Sequence, residues 1–164
     1  MNPQPLHRNT RRVAAAAALL GLTIQVRRFP DGTRTAADAA AAIGCDLGAI
    51  VKSLVLASDA GPLLVLTSGR NRVDYDKVAA AVGAEGIRRA DADAARAATG
   101  FPIGGTPPFG HPARLATLCD VDLLGYPQTW AAAGTPDTVF ALAPDQLLAA
   151  TGAQVADVAQ RPPR

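Results

Sequence analysis

The sequence predicts an α+β or mixed α/β domain with a substantially antiparallel sheet. Three observations predict it. Short runs of Val, Ile and Leu alternate irregularly with short alanine-rich segments along the chain. Gly, Pro or Asp punctuates almost every boundary, and two apolar runs are close enough to form a hairpin. No long-period repeat is visible, so a solenoid or propeller is not indicated.

The elements follow in order. Residues 1–10 are polar and hold two prolines. A helix reads from Thr10 through the alanine run to Leu20 and is closed by Gly21. Ile24 to Phe29 reads as a strand, with a turn at Pro30-Asp31-Gly32. Thr35 followed by Asp38 has the form of a capped helix start, and that helix ends near Gly44. Ile50–Ala57 and Leu63–Thr67 read as paired strands. Helices are expected over Asp74–Val82, stopped by Gly83, and Asp91–Thr99, stopped by Gly100, with a short strand at Ile87–Arg89 between them. Further strands are expected at Leu115–Cys119, Asp122–Leu124, Thr129–Ala133 and Val139–Ala141. Pro144 opens a last helix ending near Gly152, and Val155–Val158 closes the fold. One domain is placed at 13–160, with tails at 1–12 and 161–164.

At 164 residues the chain is long enough to bury a core as one domain. Its 49% hydrophobic residues and net charge of +2 exclude a disordered tail and a strongly basic DNA-coating protein. Cys45 and Cys119 are isolated, with no CxxC and no nearby His pair, so no metal or disulfide is expected; with no glycine fingerprint after a strand and no Walker lysine, no cofactor is expected either. The apolar run Val13–Leu20 is too short to cross a bilayer and leads to no clear cleavage site. A reducing, cytoplasmic setting is expected, with no membrane partner.

Arginine outnumbers lysine 14 to 2. The two lysines differ in setting. Lys77 lies on a polar helix face and reads as a surface residue. Lys52 sits in the apolar run Ile50-Val-Lys-Ser-Leu-Val-Leu, where a period of two puts it on the face of Ile50, Leu54 and Leu56. An inward ammonium is costly without partners and marks reactive sites; the alternative is a side chain that snorkels to solvent.

The second informative segment is Phe101–Pro112, where seven of twelve residues are Gly or Pro. Gly104 and Gly105 permit close backbone approach and could turn N–H donors toward an ester oxygen; Pro107 and Pro108 would fix the path. The alternative is a rigid connection. His111 follows and is a weak general-base candidate, because a loop His before Pro is more often exposed. His7 lies in the tail, and no Ser-His-Asp or Cys-His constellation can be assembled.

With these segments in hand, the chain resembles the YbaK/prolyl-tRNA-editing-domain family. The matching text is Phe29-Pro-Asp-Gly-Thr-Arg-Thr-Ala, Gly44-Cys45, Ile50 through Leu56, Gly104 through Gly110, Ala131-Ala-Ala-Gly134 and Ala156-Asp157-Val158, in order across roughly residues 13–160. The resemblance implies a compact, barrel-like sheet ringed by helices. It also implies a free-standing hydrolase of the ester on a mischarged tRNA, expected to be tRNA-Pro carrying a small non-proline amino acid, with prolyl-tRNA synthetase as a further partner.

By position Lys52 matches the family's lysine and Gly104–Pro108 its glycine–proline loop. Lys52 would hold substrate oxygens rather than attack, with a ribose hydroxyl helping to activate water. Phe29, Thr33, Thr106, Pro107, Pro108, Ala132, Ala133, Gly134 and Asp157 are the implied substrate contacts. Arg34, Arg70, Arg72 and Arg114 are candidate phosphate contacts, although an arginine of this kind is individually more often a solvated surface residue.

The chain departs from the family at Ala131–Ala133. There the Cys-tRNA deacylase branch carries a small hydroxyl residue and the alanine-editing branch a His. An alanine wall predicts a small apolar pocket that discriminates by shape. Two other classes remain open, a non-catalytic tRNA- or amino-acid-binding module and a hydrolase of another small ester.

Overall fold

The computed structural model describes residues 5–29 and 35–162. Along the chain these form α1 (Arg8–Leu19), β1 (Val26–Arg28), α2 (Ala36–Ile43), β2 (Ile50–Ala57), β3 (Leu63–Ser68), α3 (Tyr75–Val82), β4 (Arg88–Arg89), α4 (Ala92–Thr99), β5 (Ala116–Asp120), β6 (Thr129–Ala132), β7 (Thr138–Leu142), α5 (Pro144–Thr151) and β8 (Gln154–Ala156). The helix boundaries have local causes. Thr35, Asp74 and Asp91 each accept a backbone N–H of the first turn they open. Gly44, Gly83, Gly100 and Gly152 close helices in the left-handed conformation.

Three expectations are corrected. Asp122–Leu124 is not a strand but part of a 3-10 turn, Val121–Gly125. The Asp120 side chain accepts the Asp122 N–H at 2.9 Å, which curls the chain as soon as β5 ends. Helix α1 begins at Arg8, inside the segment read as a tail, because its first turns are packed: Thr10 is fully buried, and Arg12 lies 4.4 Å over the Phe101 ring. At the other end, Arg161 is held by Asp122 and Asp157 rather than trailing free. The Pro30-Asp31-Gly32 turn lies outside the described residues.

The strands make one mixed sheet in the order β1-β7-β6-β2-β3-β5-β8, with β4 added to β2. Pairs β1–β7, β6–β7, β2–β3 and β2–β4 are antiparallel; β2–β6, β3–β5 and β5–β8 are parallel. One face carries the main core. Val13 and Ala17 of α1, Ala95 of α4 and Leu147 of α5 pack there against Val51, Val55, Leu64, Leu66 and Phe140.

The other face carries two smaller clusters. Val78 of α3 packs with Leu56, Val65, Leu118 and Val158. Ala39 and Ala40 of α2 pack with Ile50. Helices thus cover both faces of the sheet, and the second face is left with an opening between α2 and α3.

The sheet is interrupted at the same place. Along one edge of β2, β6 pairs with Ile50 and Val51, and β4 pairs with Leu56 and Ala57. Among the described residues no strand pairs with Lys52–Leu54 on that edge, and Val55 accepts only the Ala90 N–H there, at 3.2 Å. The loop after α4 passes here, and a cleft forms where sheet and helices both leave room.

Candidate active site

The cleft has two lobes that share Lys52, Ser53, Leu54, Ile103 and Thr106. The first, about 760 Å³, is polar at its margins, with Arg72, Asp74, Tyr75, Asp76, Arg89 and Gln160 on its walls. The second, about 570 Å³, is largely apolar, with Ala36 and Ala39 of α2, Ile50, Trp130, Ala132 and Val139. Lys52 stands at the junction. Its side chain is half-buried, and Nζ donates to the backbone carbonyl of Asn71 at 2.6 Å. Burial, and secondarily the Arg72 guanidinium, lower the Lys52 pKa from that of a free lysine, while the Asp120 carboxylate opposes them.

The period-two reading of β2 placed this side chain correctly. Lys52 shares its face with Ile50, Leu54 and Leu56, while Val51 and Val55 enter the main core. What period two does not give is the opening between the α2 and α3 clusters, which lets an ammonium occupy an otherwise apolar face.

The glycine–proline loop divides its roles. Gly104 lines the apolar lobe and has φ +88°, a conformation suited to glycine. Thr106 lines both lobes. Gly105 is corrected as an oxyanion donor. It is buried, its N–H donates to the Pro102 carbonyl at 3.1 Å, and an added Cβ would lie 2.9 Å from the backbone of Gly134 and Thr135. Its lack of a side chain serves packing.

Pro107 and Pro108 do not line the cleft. Pro107 gives its carbonyl to His111 Nε2 at 2.8 Å, and Pro108 borders a separate hollow between the ends of α1 and α5. His111 is half-buried there rather than exposed, and burial lowers its pKa.

The remaining predicted contacts separate likewise. Ala132 faces the apolar lobe, so the next residue, Ala133, points into the main core and is fully buried. Gly134 packs against the Asn9 backbone of α1. Asp157 lies away from the cleft in ion pairs with Lys77 and Arg161, and Lys77 is tied down by Asp157 at 2.9 Å and the Ala159 carbonyl at 2.8 Å rather than freely solvated. Phe29 does not line the cavity but flanks Arg27, which also lies 5.4 Å over the Trp130 ring.

Of the candidate phosphate contacts, Arg72 is on the cleft wall. Arg70 is paired with Asp46 at 2.8 Å, and Arg114 borders the separate hollow. Thr33 and Arg34 lie outside the described residues.

Residues not singled out from the sequence also matter: Asn71, Arg89, Ile103, Trp130 and the buried Asp120. Asp120 alone had a usable signal, a carboxylate ending the apolar run Leu118-Cys119. Neither thiol is activated, since burial raises the pKa of Cys45 and raises that of Cys119 to about 12. Among the described residues no cluster of three His, Cys, Asp or Glu side chains could hold a metal. The cleft walls thus carry one ammonium, two guanidiniums, two carboxylates, the Gln160 amide, the hydroxyls of Thr35, Ser53, Tyr75, Thr106 and Thr138, and the peptide groups of an interrupted strand edge.

The fold has counterparts among known proteins. A family model for the aminoacyl-tRNA editing domain matches residues 30–150, and the chain belongs to that family. A solved structure described as a candidate trans-editing enzyme for prolyl-tRNA synthetase is 46% identical, with a TM-score of 0.92 over 96% of this chain and 100% of that one. A protein of Enterococcus faecalis, named as a candidate Cys-tRNA(Pro)/Cys-tRNA(Cys) deacylase, is 27% identical over 76% of each chain. A proline–tRNA ligase of Geobacter sp. is 29% identical over 65% of this chain, which spans 19% of that much longer enzyme.

Proposed function

We propose that the protein is a trans-editing aminoacyl-tRNA deacylase, acting in the cytoplasm as a free-standing hydrolase on tRNA-Pro that carries a small amino acid other than proline. The observation that carries this reading is the Lys52 ammonium at the junction of an apolar lobe and a polar lobe, in a chain of the editing-domain family. The apolar lobe, walled by Ala36, Ala39, Ala132 and Val139, suits the amino-acid side chain. The other lobe, with Arg72 and Arg89, suits the terminal ribose and its phosphate. The ester between them then lies beside Lys52.

Water adds to the ester carbonyl, negative charge collects on its oxygen, and the ammonium stabilises that charge in a site partly removed from solvent. Collapse expels the ribose oxygen, which takes a proton, and leaves free amino acid and uncharged tRNA. No side-chain nucleophile is required, in keeping with two unactivated thiols and a distant His111. The names of the relatives support tRNA-Pro as substrate and prolyl-tRNA synthetase as a partner.

The test is a panel of mischarged tRNAs incubated with the protein, following ester loss. The expected result is selective deacylation of one small residue on tRNA-Pro, falling about 10²–10³-fold in Lys52→Ala with the fold unchanged by circular dichroism. Undiminished turnover by Lys52→Ala removes the mechanism. Tight binding of charged tRNA with the ester intact replaces it with a sensing module, and equal rates on a free amino-acid ester replace it with a general esterase.

A further inference from the structure

Asp120 ends β5 in a fully buried position outside the cleft lining. Extending the β3–β5 register by one residue places Asp120 beside Thr67, and Thr67 is paired with Lys52. The three side chains form a row across neighbouring strands on the cleft face. A buried carboxylate is costly unless donors surround it. Asp120 Oδ2 accepts the Ser68 N–H at 3.0 Å and Asn71 Nδ2 at 2.9 Å, and its Oδ1 accepts the Asp122 N–H.

Asn71 Nδ2 also donates to Asp122 Oδ2 at 2.7 Å, and Arg161 holds Asp122 from the other side at 3.0 Å. Both amide hydrogens of Asn71 are thus committed, and its backbone N–H donates to Ser68 at 2.9 Å. The one backbone group of Asn71 left to face the cleft is its carbonyl, on which Lys52 rests.

We propose that Asn71 and Asp120 are positioning residues for Lys52. The Asp120 carboxylate, acting through the Asn71 amide, fixes the carbonyl that aims the ammonium and sets a buried negative charge on the same face of the sheet. The charged groups around Lys52 are Arg72 from the turn after β3, Arg89 from β4, Asp74 and Asp76 at the start of α3, and Asp120 from β5. Among the described residues α2, β6 and the loop 101–106 present none to it. Asp74 is engaged with the N–H groups of Asp76 and Lys77. Of these carboxylates, Asp120 is the one that counters burial and Arg72 at Lys52.

The functional weight of this inference rests on the editing reading, but its test does not. The chain has two lysines, so 15N-lysine labelling gives one Nζ signal from Lys52 and one from Lys77, the internal reference. In Asp120→Asn the Lys52 titration is expected to move down relative to the parent, read against the Lys77 signal. A folded Asp120→Asn protein in which Lys52 titrates as in the parent overturns the proposal.

An amide at position 120 would face three donors, so a second variant carries the decision if that protein does not fold. In Asn71→Ala the Lys52 Nζ–H correlation, protected in the parent by its 2.6 Å bond, is expected to vanish by exchange with water. Its persistence overturns the proposal. Neither measurement needs turnover, so failure here and failure of the editing reading are told apart.

Discussion

Single residues in this protein show how adjacent positions with similar chemistry separate by geometry. Gly104 and Gly105 are indistinguishable in sequence, yet one lines the cleft and the other is pressed against a neighbouring backbone. Position 105 has no flexible side chain to displace, because the atoms an added methyl would meet are the Gly134 carbonyl group and Thr135 Cα. Gly105→Ala is therefore expected to cost about 1–3 kcal/mol in urea denaturation and to lower deacylation by shifting Gly104 and Thr106 with it. An unchanged denaturation midpoint would show that the loop is slack. The same logic divides Ala132 from Ala133, which strand alternation sends to opposite faces. Lys52 was legible because a lysine in an apolar period-two run is conspicuous. Asn71 was not, since its contribution to the Lys52 contact is a backbone carbonyl, and no side-chain pattern records where a carbonyl points.

Elements were legible where local chemistry decides them. The limits of β2 and the closing glycines of α2, α3, α4 and α5 can be read from residue types because the caps and the left-handed glycines act within a few residues. The misread strand at Asp122–Leu124 failed because a three-residue segment ending in two leucines fits a 3-10 turn as well as a strand, and the Asp120 cap decided between them. The interrupted edge of β2, which makes the cleft, depends on two strands far apart in sequence and is invisible locally. Helix α4 links these levels. Asp91 caps it through the Ala94 N–H at 2.8 Å, and Ala95 on the helix borders the polar lobe. Asp91→Ala is expected to destabilise the protein by about 1 kcal/mol, and Asp91→Asn by much less. Thermal melts of the pair check this, and equal losses would assign the effect to charge rather than to the cap.

At the scale of the whole molecule, distant segments are joined by carboxylates that share a direction of pKa shift. Hydrogen bonds from Arg70 bring Asp46 down to about 2. Asp122 is lowered by Arg161 and Asn71, Asp137 by Thr135 and then Arg28, and Asp157 by Lys77. Each group binds its proton less readily folded than unfolded. Its stabilisation is present above the unfolded pKa, about 4, and is lost as pH falls through the lowered folded value. His111 has the same sign for a different reason: burial disfavours its imidazolium, so the unfolded chain takes up that proton first as pH drops below about 6.5.

Stability should therefore decline on acidification in two stages, a first below about pH 6.5 and a second from about pH 4 toward 2. The pairs are largely exposed, so the second stage should shrink in high salt, while the first, set by burial, should not. Urea midpoints measured from pH 8 to 2 at two salt concentrations resolve the stages. His111→Gln should flatten the curve between pH 7 and 5 and leave the lower stage in place. If that variant keeps the upper decline, the half-buried ring beside Pro107 is not its source.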